Sequence, residues 1–228
     1  FDEPHDPYVS PPEYWESYIP DMAPPERGNY NAPLVRKPQL HHVQRNGREY
    51  APWEEHVAGE YSRRWFACNR YIDREIGRVI DAVDRLHGDD TVVIYTSDHG
   101  SQFGSHGLSG KGAMMYEESC NIPFLVRVPG GPRGAVSNAL VSQIDLFPTM
   151  LELAGIDCPP ILQGVSLVPV LNDPARTTRE TALISFHRFA INHDDYGEFY
   201  PIRCATDGRW KLVVNLFDTD ELYDLQAD

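Results

Sequence analysis

An apolar run, Thr91-Val92-Val93-Ile94-Tyr95-Thr96, stops abruptly at Ser97-Asp98-His99-Gly100. Asp98 offers a carboxylate and His99 an imidazole, both common metal ligands. Adjacent positions on a turning backbone can face one ion. Five glycines fall in the thirteen residues from Gly100 to Gly112, which lets the backbone fold back close to a ligand. The same stretch carries His106 and Lys111. A lysine ammonium placed there neutralises an oxyanion. The residue types alone also fit a Gly-rich surface turn with solvated polar side chains.

The flanking sequence predicts how these residues are positioned. Ile72, Ile76, Val79, Ile80, Val83 and Leu86 recur at three- and four-residue steps, so residues 61–87 read as an amphipathic helix ended by Gly88. The β-branched run after it reads as a buried parallel strand. In open α/β sheets, ligands gather beyond the C-terminal ends of such strands, which is where Asp98 and His99 fall. A second strand is expected over 122–128, and a short helix over 144–154 with Asp145 as N-cap. Residues 156–181 read as loop with a small apolar clamp at Val165, Leu167, Val168, Val170 and Leu171. A strand over 181–186 follows. Residues 202–206 and 210–215 then read as a hairpin turning at Asp207-Gly208. Residues 1–60 are rich in proline and aromatics and read as loop.

Composition bounds the class. The sequence has 228 residues, 41% hydrophobic and 24% charged, which excludes a disordered tail, a collagen repeat and a coiled coil. No apolar run reaches the ~18 residues of a membrane helix. The net charge of −14 repels polyanions, so nucleic acid is not an expected partner. Cys68, Cys120, Cys158 and Cys204 show no CxxC spacing and read as ordinary thiols.

Taken together, Thr96-Ser97-Asp98-His99-Gly100, Gly104-Ser105-His106-Gly107-Leu108, Gly110-Lys111, Met115-Tyr116-Glu117-Glu118 and Ile122-Pro123-Phe124-Leu125 resemble the sulfatase family of the alkaline phosphatase superfamily. Further segments agree. Pro4-His5-Asp6-Pro7 is similar to the family's Pro-His-x-Pro loop. Asp145-Leu146-Phe147-Pro148-Thr149 with Ala154-Gly155-Ile156 resembles a family helix. Gly164-Val165-Ser166-Leu167 and Glu221-Leu222-Tyr223-Asp224-Leu225 resemble two late signatures.

The resemblance implies an α/β fold with a central mixed sheet flanked by helices and a small C-terminal antiparallel sheet. It implies a partial catalytic domain over 1–175 and an incomplete subdomain over 176–228. Asp98 and His99 are then two metal ligands, the His variant being similar to iduronate-type sulfatases and phosphonate monoester hydrolases. The implied ion is divalent, calcium by resemblance, with manganese or zinc kept open because imidazole is softer than calcium prefers. Lys111 is the implied sulfate contact, and His5 a second donor on the departing oxygen. His106 is open between a substrate contact and a structural role. The implied partner is a small sulfated or phosphorylated organic substrate. The alternatives are a phosphonate or phosphate ester hydrolase, or an inactive module that keeps the metal pocket.

The family's nucleophile, a Cys or Ser in a Cys/Ser-x-Pro/Ala-x-Arg motif with the Cys converted to formylglycine, has no match among these residues. The expectation is that the nucleophile and the first acidic ligands lie on preceding sequence, and that these residues alone do not turn over. His41-His42 is read as a solvated or substrate-rim pair, with a metal role as alternative. His187, Arg188, His193 and Tyr196 are candidate specificity residues or plain surface. Trp15, Tyr18 and Trp53 either stack on substrate or pin the Pro-rich segment.

Overall fold

A computed structural model describes residues 3–16, 28–46, 59–187 and 200–227. Tyr18, Trp53, Arg188, His193 and Tyr196 lie outside the described residues. By contacts the chain divides into two compact units. The first comprises Phe1–Val35, Leu40–Asp89 and Gly100–Ser119; the second comprises Arg36–Gln39, Asp90–His99 and Cys120–Asp228.

The first unit is built on one long helix. Helix α1 (Pro12–Glu16) and helix α2 (Gln39–Asn46) are short. Helix α3 runs over Glu60–His87, and its end is closed by Gly88, whose N–H donates to the Asp84 carbonyl at 2.9 Å. Helix α1 was expected as loop. It forms because Pro12, at the first helical position, loses no hydrogen bond there, and because Tyr14 is buried. The Tyr14 ring packs 5.4 Å from Tyr71, and its hydroxyl accepts from Arg74 Nη1 at 2.5 Å. The predicted stripe of α3 is buried at Ile72, while Val79 and Leu86 are exposed. A core of Tyr30 and Phe103 is packed by Tyr61, Trp65 and Phe66.

The second unit holds two sheets. Strand β1 (Val93–Thr96) pairs antiparallel with β2 (Phe124–Arg127), in the register Val93↔Arg127 to Thr96↔Phe124. The helix-then-strand order pointed to a parallel strand buried on both faces. The preceding helix constrains the direction of β1 but not that of its partner, and Tyr95 and Val92 stay partly exposed. Helix α4 (Glu117–Cys120) lies between the strands in sequence. Helix α5 (Leu146–Leu153) follows a single 3-10 turn at Gln143–Asp145. Helix α6 (Val168–Asn172) occupies part of the stretch expected as loop. Its Pro169 is tolerated in the first turn, and Leu167 and Val170 are buried, so the clamp residues fold as a helix.

Strands β3 (Ala182–Phe186), β4 (Ile202–Thr206), β5 (Trp210–Asn215) and β6 (Glu221–Asp224) form an antiparallel sheet in sequence order. The β4–β5 hairpin turns at Asp207-Gly208-Arg209. Gly208 has φ +90°, and Asp207 Oδ1 accepts from the N–H groups of Arg209 and Trp210 at 2.8 and 2.7 Å. The buried Glu221 carboxylate is met by Lys37 Nζ at 3.2 Å, and the same ammonium donates to the Tyr223 hydroxyl at 2.7 Å.

Candidate active site

In the first unit, the loop Gly100–Gly112 is folded by its own backbone. Gln102 N donates to Gly110 O at 2.7 Å, Gly104 N to Leu108 O at 2.8 Å, and Ser105 N to Gln102 O at 2.8 Å. Gly100 N donates to Ser119 O at 3.0 Å. A Cβ at Gly100 would lie 2.0 Å from the Glu118 carbonyl oxygen, so only glycine fits there. Phe103 and His106 adopt left-handed backbone, at φ +41° and +55°.

This loop delivers Lys111 to His5. Lys111 Nζ lies 2.6 Å from His5 Nε2 across 106 sequence positions. His5 Nδ1 is 2.7 Å from the Asp6 carbonyl oxygen and 3.1 Å from Asp6 Oδ1. A carbonyl only accepts, so Nδ1 carries the proton, and Nε2 presents its lone pair to the Lys111 ammonium. The His5 side chain is 49% exposed, and Lys111 is exposed, so an anion from solvent can reach both.

His106 sits apart from that pair within the same loop. Its ring stacks on Tyr116, with centroids 3.9 Å apart and planes 15° from parallel. Its Nε2 lies 3.3 Å from Asn29 Nδ2. Burial works against the Glu118 carboxylate, but the Ser105 hydroxyl, backbone N–H donation, the His106 ring and the Asn29 amide outweigh it and hold its pKa below the usual value. The Tyr116 hydroxyl lies 3.2 Å from Nδ1 of the buried His41. His41 is therefore neither solvated nor on a rim, as its polar neighbours in sequence suggested. Trp15 has the Arg63 and Arg64 guanidinium groups each 5.2 Å from its ring, which fits the pinning reading.

In the second unit, Asp98 and His99 sit just past the end of β1. Asp98 Oδ1 accepts from His99 N at 2.9 Å, and Asp98 Oδ2 lies 3.4 Å from His99 Nε2. Burial opposes the Asp98 charge. The His99 ring, backbone N–H groups and the Ser97 hydroxyl outweigh it and lower the Asp98 pKa. The Asp98 side chain is 82% exposed. Gln143 Nε2 donates to the carbonyls of Ser97 and Asp98 at 2.9 and 2.8 Å, so it fixes the turn on which the pair stands. That role was not foreseen, because a lone Gln before a helix carries no sequence signal.

One hard carboxylate oxygen and one borderline imidazole nitrogen, 3.4 Å apart, suit a divalent ion as two of its ligands. Among the described residues, no group of three or more His, Cys, Asp or Glu side chains gathers. Asp145 is the structural anchor of this unit. Its Oδ2 accepts from Ser142 N at 2.8 Å, and its Oδ1 from Val165 N at 2.9 Å and Arg179 Nη2 at 2.5 Å. The predicted helix cap thus becomes a buried tie between three segments. His187 is exposed and lies 3.4 Å from Arg203 Nη2.

Comparison with known proteins follows the same residues. The sulfatase family model matches residues 1–156, and the model of the N-sulphoglucosamine sulphohydrolase C-terminal region matches residues 104–228. An uncharacterised sulfatase of Escherichia coli (strain K12) is 40% identical over the whole chain, which spans 44% of that protein. A choline-sulfatase of Rhizobium meliloti (strain 1021) is 33% identical, again over the whole chain and 43% of its own length. The chain thus spans less than half the length of these relatives. Among solved structures, a phosphonate monoester hydrolase from Silicibacter pomeroyi superposes with TM-score 0.84 at 23% identity, over 99% of this chain and 48% of that one. A protein solved with its substrate D-glucosamine-2-N,6-O-disulfate gives TM-score 0.82 at 22% identity, over 99% and 57%. These likenesses establish the alkaline phosphatase-like fold.

Proposed function

The chain belongs to the sulfatase family, and from that premise we propose that its protein hydrolyses a sulfate ester with a divalent metal, His5 and Lys111 binding the anion and Asp98 and His99 supplying two metal ligands. The observation that carries this reading is the 2.6 Å contact between Lys111 Nζ and His5 Nε2. Both side chains are open to solvent, in a chain of net charge −14.

Sulfate ester cleavage builds negative charge on the non-bridging oxygens and on the departing alkoxide. When bound, a divalent ion supplies Lewis-acid stabilisation of the former. The chain's own residues serve the latter. Lys111 donates to the ester oxygen, and a proton held between Nζ and Nε2 is available to the leaving group. Asp6 keeps the His5 ring oriented through Nδ1, so Nε2 stays the exchanging atom. Gln143 holds the turn bearing Asp98 and His99. The nucleophile in this proposal is a formylglycine on sequence outside these 228 residues, in keeping with the share of the relatives' length that they span.

A phosphonate or phosphate ester reading is favoured by one finding, the superposition on a phosphonate monoester hydrolase. Turnover of matched aryl sulfate and aryl phosphonate esters by the protein with its nucleophile-bearing sequence separates the two. The sulfate ester is expected to give the larger kcat/KM. Lys111→Ala is expected to lower kcat by about 10²–10³-fold, and Asp98→Ala to lose bound divalent metal by elemental analysis. Metal binding with no turnover of either ester would leave the inactive module as the reading.

A further inference from the structure

We propose that His106 is a positioning residue for the loop that carries Lys111, acting through its ring on Tyr116 and its bond to Asn29 without touching substrate. The proposal rests on the reading of Lys111 as the anion contact. Of the two roles that the sequence leaves open for His106, it takes the structural one.

The ring of His106 is engaged inward. One face lies 3.9 Å from Tyr116, and Nε2 lies 3.3 Å from Asn29. Tyr116 is itself buried and tied through its hydroxyl to His41, which is 1% exposed. His106 is therefore clamped to a ring that cannot move freely. Its backbone is left-handed without the licence of glycine, a conformation that persists only where surrounding contacts over-determine it. Phe103, three residues earlier, is in the same state and is anchored by Tyr61, Trp65 and Phe66. Aromatic contacts thus hold both left-handed non-glycine residues of this loop. The backbone bonds from Gln102 to Gly110 and from Gly104 to Leu108 pass that constraint to Lys111.

The test uses four single variants of the full enzyme, His106→Gly, His106→Asn, Tyr116→Phe and Tyr116→Leu, and one double variant that combines His106→Gly with Tyr116→Leu. Glycine accepts the left-handed backbone but removes the ring. His106→Gly is expected to lower kcat about tenfold with KM changed less than twofold, because Lys111 is needed most as charge develops. Amide exchange at Gln102, Gly104 and Leu108 should accelerate about tenfold in the same variant, with α3 unchanged. Tyr116→Leu should reproduce both effects, and combining it with His106→Gly should add nothing. Tyr116→Phe keeps the stack but drops the bond to His41, so it should fall between the parent and Tyr116→Leu. His106→Asn, which tolerates the left-handed backbone and keeps a polar partner for Asn29, should fall between parent and His106→Gly.

A rise in KM with unchanged loop exchange in His106→Gly would make His106 a substrate contact and overturn the proposal. Parent-like kinetics and exchange in His106→Gly would overturn it equally. Exchange does not depend on turnover. An inactive parent whose loop still loosens in His106→Gly would therefore sink the sulfatase reading and retain the positioning of the loop.

Discussion

His5 and Lys111 meet although 106 positions separate them, and each was legible for a different reason. Lys111 follows a Gly-rich run, a local signal. His5 stands out only through its resemblance to a Pro-His-x-Pro loop, because nothing local marks one imidazole in a Pro-rich segment. Asn29 and Gln143 carry no signal in the sequence, and the polar neighbours of His41 point to a rim rather than to its buried place, since hydrogen bonds between distant segments leave no spacing in the chain. Cys68 allows a prediction at this scale. Burial, reinforced by the Glu3 charge, pushes its thiol up to about 11. It should react with iodoacetamide at pH 8 far more slowly than the exposed Cys158. Because the folded pKa is raised, the unfolded chain ionises first, and stability should decline as pH rises from about 9 towards 11. Equal labelling of the two cysteines under native conditions would contradict the packing at Cys68. Glu118 has the opposite sign. Its lowered pKa adds stability above the ordinary carboxyl range, and that stability is lost as pH falls through the folded value. Glu118→Gln should flatten the acid limb of a stability-against-pH curve.

Among the elements, long periodic segments were the most legible. Helix α3 and the β4–β5 hairpin fall within a residue or two of expectation, since a 3.6-residue stripe and an Asp-Gly turn are local physics. The short helices α1 and α6 were missed because their prolines look like breakers, and only a first-turn position makes them tolerable. The two-stranded β1–β2 pairing was missed because strand direction is set by partners and not by sequence pattern. Two glycines test this level of the structure. A Cβ at Gly164 would lie 1.9 Å from the Ile144 carbonyl oxygen, so Gly164→Ala should cost about 1–3 kcal/mol or more by denaturant unfolding. At Gly28 nothing lies within 4 Å and no left-handed φ is required, so Gly28→Ala should stay within about 0.5 kcal/mol. Arg179→Ala leaves the fully buried Asp145 carboxylate without its ion pair. Loss of a partner from a buried pair costs about 3–5 kcal/mol, the largest single effect expected in the second unit.

For the whole molecule, charge and surface decide behaviour that no single residue does. A net charge of −14 should carry the chain through a polyanion column unretained at low salt. Retention would point to a basic face that the sum conceals. The sheet β3–β6 aligns Leu183, Ala205, Leu212 and Leu222 straight across its strands, and the three leucines are 69%, 44% and 64% exposed. Leu183→Gln and Leu222→Gln should each leave stability within about 0.5 kcal/mol while reducing binding of a dye that lights up on apolar surface. A large loss of stability in either would show the row to be covered. The whole-chain fold was legible because the motifs are spread along the sequence, whereas the division into two units was not, since it cuts between His99 and Gly100 inside one motif.

Phe103 and His106 are places where the handedness of the building block and that of the chain disagree. A D-amino acid would sit there without complaint, and so would glycine. A loop rewritten with glycine at both positions would be easier to fold and poorer at holding still. The disagreement in chirality is thus a sign that this stretch keeps its side chains for what they grip, and gives up some ease of folding to keep that grip.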